Sequence, residues 1–142
     1  MSVFVVDASV VLKWFLPEIH AEAARRLLHQ SHQYVAPDLL LPEVGNAVWK
    51  HVRRGGLKRD EGRRLISDLA DVAVETIATR DLIGDAWMIA VAADQTVYDS
   101  TYLALAVRLE TQLITADERL AKSASIHPAL AEHVCLVSEF TA

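Results

Sequence analysis

The sequence predicts an α/β protein, a three-layer α/β/α sandwich with a central parallel sheet of four or five strands in one domain over residues 1–142. Three observations predict it. Short β-branched runs alternate with longer segments of helical period, the order in which parallel strands and crossover helices follow each other. Apolar residues make up 52% of the chain and charged residues 23%, enough for a packed core. Finally, 142 residues without a repeat, a low-complexity run or a linker suit a single domain, one that buries about two thirds of its unfolded surface.

VFVV, residues 3–6, is the first strand. A helix follows from about Ser9 to Phe15, and Pro17 closes it, because the residue before a proline is driven out of the helical region. HAEAARRLLHQS is amphipathic, with Ala23, Ala24, Leu27 and Leu28 on one side. Tyr34 to Ala36 supply a short second strand. Asp38 is placed to cap a helix through LLLPEVGNAVWKHVRR, where Pro42 is tolerated because it lies near the first turn. Gly55-Gly56 ends that helix and another begins near Asp60, giving a helical hairpin. VETIA (74–78) reads as strand, DLIGDAWMIAVAAD and TVYDSTYLALAVRLE as helices, QLITA (112–116) as strand, DERLAKSA as helix and VCLV (134–137) as the last strand. Right-handed crossovers in such a sheet put ligands at the C-terminal strand ends.

Composition narrows the class further. No apolar run approaches the ~20 residues that span a bilayer; AWMIAVAA is bounded by Asp85 and Asp94. MSVFVVDAS carries no basic leader, so no secretory signal is expected. The single cysteine, Cys135, cannot form an internal disulfide and reads as a small core residue. A cytoplasmic protein with no membrane association is the expectation. Net charge of −5 argues against a general positive field for nucleic acid. Yet residues 50–64, KHVRRGGLKRDEGRR, hold seven of the fourteen Lys and Arg against two acids. Lys50, Arg53, Arg54, Lys58 and Arg59 form either a solvated helix face or a local landing surface for phosphates or an acidic partner. Screening over about 8 to 10 Å keeps such attraction local.

The carboxylates carry the chemistry. Asp7 directly follows the first strand and Asp117 follows QLITA, so both belong at the C-terminal edge of the sheet. Asp99 opens a helix and Glu43 lies in the first turns of another. Each has a structural alternative. Asp7 and Ser9 are possible caps, Thr96 with Asp99 and Thr115 with Glu118 fit capping boxes, and Glu43 complements a helix dipole. If the four converge, two unit charges 4 Å apart repel by about 4 kcal/mol at an effective dielectric of about 20. A shared pocket then requires protons or a cation, and all-oxygen ligation suits Mg²⁺ or Mn²⁺. Such an ion polarises a phosphate oxygen and activates water, chemistry suited to phosphodiester hydrolysis.

VVDASVVLKW, LLLPEVGNAVWK, YDSTYLALA and LITADERL, in that order, resemble the four signatures of the PIN-domain family, and within it the VapC type of toxin ribonuclease. The resemblance implies a metal-dependent endoribonuclease on a five-stranded parallel sheet. It further implies a homodimer and inhibition by a small VapB-like antitoxin. By position, Asp7, Glu43, Asp99 and Asp117 become the acidic quartet. Asp7, Asp99 and Asp117 would hold the ion, directly or through water, and Glu43 would complete the shell or orient the attacking water. Ser9, Thr115 and Asn46 are candidates to brace these carboxylates.

Other features point elsewhere. Trp14, Phe15, Leu16 and Trp49 read as core, with an apolar groove near the site for an antitoxin as the alternative suggested by the resemblance, in which replacing Trp14 would weaken antitoxin binding more than folding. Trp87, Met88 and Val91 read as core first and dimer surface second. His29 and His32 share a helical face read as solvated. No phosphate-binding glycine loop is present, and Ser9 lacks a nucleophile elbow. An aspartyl-phosphate phosphatase would place a second aspartate where Ser9 stands, and a non-catalytic RNA- or protein-binding module would have no use for four mutually repelling acids.

Overall fold

The computed structural model describes residues 2–141. Five strands form one wholly parallel sheet in the order β3-β2-β1-β4-β5: β1 (Val3–Val6), β2 (Gln33–Pro37), β3 (Glu75–Ile77), β4 (Leu113–Thr115) and β5 (Val134–Leu136). Among the described residues seven α-helices link them: α1 (Ala8–Phe15), α2 (Ala21–Arg26), α3 (Leu40–Arg53), α4 (Arg59–Leu69), α5 (Ile83–Ala93), α6 (Val97–Arg108) and α7 (Glu118–Ser125). The predicted sandwich is the observed one, with five strands. No helix among the described residues is long and apolar enough to cross a membrane.

The order of connections decides where a site can form. From β1 the chain moves outward to β2 and β3, then returns across the sheet to β4 on the other side of β1. The direction of winding reverses between β1 and β4, and a crevice opens there at the C-terminal strand ends. Val5 pairs with Leu113 and Val6 with Ile114, so the two strands end side by side. Val5, Val6, Leu113 and Ile114 are fully buried, as central parallel strands covered on both faces require. Helix α6 lies against this centre, and every residue from Ser100 to Ala106 is buried. That all-round burial explains why its sequence shows no clear apolar stripe.

Several local expectations are corrected. Asp38 does not cap α3: its Oδ1 accepts hydrogen bonds from the Thr79 hydroxyl and from Thr79 N–H at 3.0 Å, tying β2 to the turn after β3. The residue before α3, Leu39, is itself helical and makes no side-chain cap. Thr115 remains in β4, and Asp117 caps α7 instead, accepting from Leu120 N–H. After Arg26 helix α2 tightens into a 3₁₀ turn at Leu27–His29, turning Leu28 outward. His32 leaves the helix altogether and packs edge-on against Phe4, with ring centroids 5.0 Å apart.

The aromatic residues divide. Trp14 packs half-buried against the core, its indole N–H donating to Ala24 O at 2.8 Å. Trp49, expected in the core, is 48% exposed, and the Arg53 guanidinium lies 5.9 Å from its ring centroid. Trp87, Met88 and Val91 are likewise not core: α5 presents its small residues Ala86, Ala90 and Ala93 inward and these large ones outward. The α3–α4 hairpin forms as expected. Gly55 adopts φ +82° just past α3, and α4 approaches so closely that a Cβ at Gly62 would lie 2.9 Å from Val52 Cγ2. Cys135 is half-buried in β5, and burial raises its thiol pKa.

Candidate active site

Each acid of the quartet is held by the element that the sequence places around it. Asp7 is the residue after β1 and the N-cap of α1, its Oδ1 accepting from Val10 N–H at 3.3 Å. It is only 7% exposed. The Ser9 hydroxyl donates to Oδ1 at 2.5 Å, and the Thr115 hydroxyl, at the end of neighbouring β4, donates to Oδ2. Those hydroxyls also accept. Ser9 Oγ receives Ala116 N–H at 2.9 Å and Thr115 Oγ1 receives Asp117 N–H at 3.0 Å. The ends of β1 and β4 are thereby stitched together around one carboxylate.

Asp117 caps α7 through Leu120 N–H at 3.1 Å. Asp99 sits in the first turn of α6, its N–H donating to the Thr96 hydroxyl at 3.0 Å. Both acids therefore lie at helix N-termini, where a negative charge is favoured. Glu43, in the first turn of α3, accepts the Tyr102 hydroxyl on Oε1 at 2.7 Å. Tyr102 is the site residue that the sequence reading passed over. Its signal was present, because three positions after Asp99 on a helix puts it on the same face.

The charges of the four act on one another. Burial pushes the Asp7 carboxyl up to about 6, the charge of Asp99 adds to the rise, and the bonds from Ser9, Thr115 and Val10 oppose it. Asp99 is raised by its own burial and then by the charge of Asp117, against the Thr96 hydrogen bond and the Arg119 cation. Glu43 is raised by burial and by Asp99, while the Tyr102 hydrogen bond pulls it down. Asp99 is thus the hub, within electrostatic reach of each of the other three.

Charge crowding of this kind is relieved by a cation or by protonation. Among the described residues, no group of three or more His, Cys, Asp or Glu is set closely enough to enclose a metal ion by itself. The donor set is oxygen only, the kind that Mg²⁺ or Mn²⁺ takes, using few carboxylates and keeping its waters. It lacks the cysteine and histidine donors of a structural zinc site.

The remaining candidates separate. Ser9 and Thr115 brace Asp7 directly. Asn46 is exposed and makes no hydrogen bond to any of the four acids. Lys50, Arg53, Arg54, Lys58 and Arg59 are all exposed on the α3–α4 hairpin. Between the arms of that hairpin, starting two residues beyond Glu43, lies a mainly apolar pocket of about 220 Å³ lined by Gly45, Trp49, Ile66, Arg59 and Arg63 among others.

The fold is that of an α/β protein whose parallel sheet carries Asp7 and Asp117 at the adjoining ends of β1 and β4, the candidate site. The PIN domain family model matches residues 4–125, and the chain belongs to that family. It is 36% identical over 120 residues to Ribonuclease VapC3 of Pyrobaculum aerophilum, covering 83% of this chain and 92% of that one. Among solved structures it is similar to PAE2754 from Pyrobaculum aerophilum (TM-score 0.71, 21% identity, 95% of this chain and 83% of that one). It is also similar to a chain of a toxin–antitoxin complex from Klebsiella pneumoniae (TM-score 0.67, 17% identity, 96% and 98%). These two likenesses are of fold.

Proposed function

We propose that the chain is a Mg²⁺- or Mn²⁺-dependent endoribonuclease toxin that hydrolyses RNA phosphodiester bonds at Asp7, Glu43, Asp99 and Asp117. The observation that supports this reading is electrostatic: the charge of Asp99 raises Asp7 and Glu43, and that of Asp117 raises Asp99. The ribonuclease name of a relative that spans most of the chain supports it.

Asp7, Asp99 and Asp117 would hold the ion, directly or through water. When bound, it would supply Lewis-acid polarisation of a phosphate oxygen and an activated water. The protein's own part is placement. Ser9 and Thr115 fix both oxygens of Asp7, and the helix termini fix Asp99 and Asp117. Glu43 has Oε1 engaged by Tyr102, which leaves Oε2 to accept a proton from, and so orient, the attacking water. The exposed hairpin arginines and lysines would anchor the flanking phosphates, which suits a chain whose net charge is otherwise negative.

A VapB-like antitoxin is the proposed inhibitor. It would lay an apolar segment against the surface beside the acids, with Trp14 and the Trp49 pocket as its landing points. The exposed face of α5 is the proposed homodimer contact. Incubating the purified chain with RNA tests the nuclease reading. Cleavage should require Mg²⁺ or Mn²⁺, stop with a chelator and vanish in Asp99→Asn. Cleavage that survives both chelation and Asp99→Asn refutes it.

A further inference from the structure

We propose that Tyr102 is a positioning residue of the cleavage site, its hydroxyl holding one oxygen of Glu43 so that the other faces the attacking water. This rests on the nuclease reading above. Three tyrosines allow a comparison within the molecule. Tyr98 is exposed. Tyr34 gives its hydroxyl to a backbone carbonyl, Leu27 O at 2.7 Å, as a structural tyrosine does. Tyr102 is 2% exposed, and its hydroxyl goes to the side chain of a quartet acid on another element.

The geometry gives that bond a purpose. Glu43 reaches the centre through three rotatable side-chain bonds from a helix that only half-buries it. Unlike Asp7, which is fixed by two hydroxyls and a backbone N–H, it has one protein hydrogen bond to hold it. Tyr102 stands three residues after Asp99, so one face of α6 supplies both a carboxylate of the centre and the brace for its neighbour. Burial, reinforced by the charges of Glu43, Asp7 and Asp99, raises the ionisation of the phenol well above its ordinary range, so it remains a donor. A rigid aromatic donor loses little rotamer freedom in this task, and small misplacements of reacting groups are costly.

The test compares Tyr102→Phe, Glu43→Gln and the double variant in RNA cleavage with Mn²⁺. Tyr102→Phe keeps the buried ring and removes only the hydroxyl. It should lower kcat about ten- to a hundred-fold and leave KM unchanged. In the Glu43→Gln background the same change should cost nothing more. The rise in melting midpoint on adding Mn²⁺ should persist in Tyr102→Phe, since Asp7, Asp99 and Asp117 are intact. Wild-type kcat in Tyr102→Phe, losses that multiply in the double variant, or disappearance of the Mn²⁺ effect would each overturn the assignment. If Tyr102→Phe folds poorly, Glu43→Asp tests the same point without touching the ring. By shortening the reach to the phenol it should lower kcat at constant KM, and full activity would overturn the assignment. A wild-type chain that neither cleaves RNA nor gains from Mn²⁺ fails the nuclease reading itself, and this assignment with it.

Discussion

Thr115, the last residue of β4, donates its hydroxyl to Oδ2 of Asp7, the first residue after β1, across 108 positions of chain. The bond joins the two paired strands from whose ends the chain leaves in opposite directions at the switch-point crevice, and it is fully buried on the threonine side. It is both a fold contact and a site contact.

Thr115→Val keeps the shape and β-branching of the side chain but removes the donor to Asp7 and the acceptor for Asp117 N–H. Leaving buried polar groups short of partners costs about 1–3 kcal/mol. Denaturant unfolding of the metal-free protein should show a loss of that size, and Thr115→Ser should recover most of it. A neutral Thr115→Val would mean that the strand ends do not depend on this hydroxyl.

Asp7 gives a pH dependence with a definite sign. In the folded, metal-free protein its carboxyl titrates at about 6, above its ordinary range. Between the unfolded value and about 6 the folded state binds more protons than the unfolded one, so stability falls as pH rises through that window. Asp7→Asn removes a charge that is costly to bury. It should stabilise the metal-free protein by about 1–3 kcal/mol at pH 7.5 and flatten the acid-side slope. Thermal melts from pH 4 to 8 measure both. A variant less stable than wild type at pH 7.5 would contradict the buried-charge account.

Ile83, Trp87, Met88 and Val91 lie on three successive turns of α5, each 48% to 67% exposed. A patch of this kind on a helix whose other side is filled by α6 calls for a partner surface. If a second copy covers it, Trp87→Asp with Val91→Asp should convert a dimer to a folded monomer in sedimentation. A wild-type chain that sediments as a monomer would sink the assignment, as would a dimer indifferent to the substitutions.

The parts legible in the sequence were those governed by local period or by a strand-end rule. β1 and β4 announced themselves as β-branched runs, and the acids directly after them had to lie at the C-terminal edge. What could not be read depended on distant partners. Asp38 has the local signature of a cap, but its partner Thr79 is 41 residues away. Thr115 resembles a cap until β1 delivers Asp7 to it. Trp87 and Met88 look like core residues because an apolar side chain reads the same whether it faces the protein interior or a second molecule. Tyr102 was hidden among the apolar residues of the buried stretch Ser100 to Ala106 of α6, its hydroxyl spoken for by a glutamate from α3.

The most direct measurement is the melting midpoint with and without Mn²⁺, for the wild type and for Asp99→Asn. Binding to the folded state at about a hundredfold excess over Kd adds about 2.7 kcal/mol, a rise of several degrees for a chain of this size. The wild type should show that rise, and Asp99→Asn, lacking the carboxylate that couples the other three, should lose it. A wild-type midpoint that does not move when the ion is added would contradict the shared cation site on which the account rests.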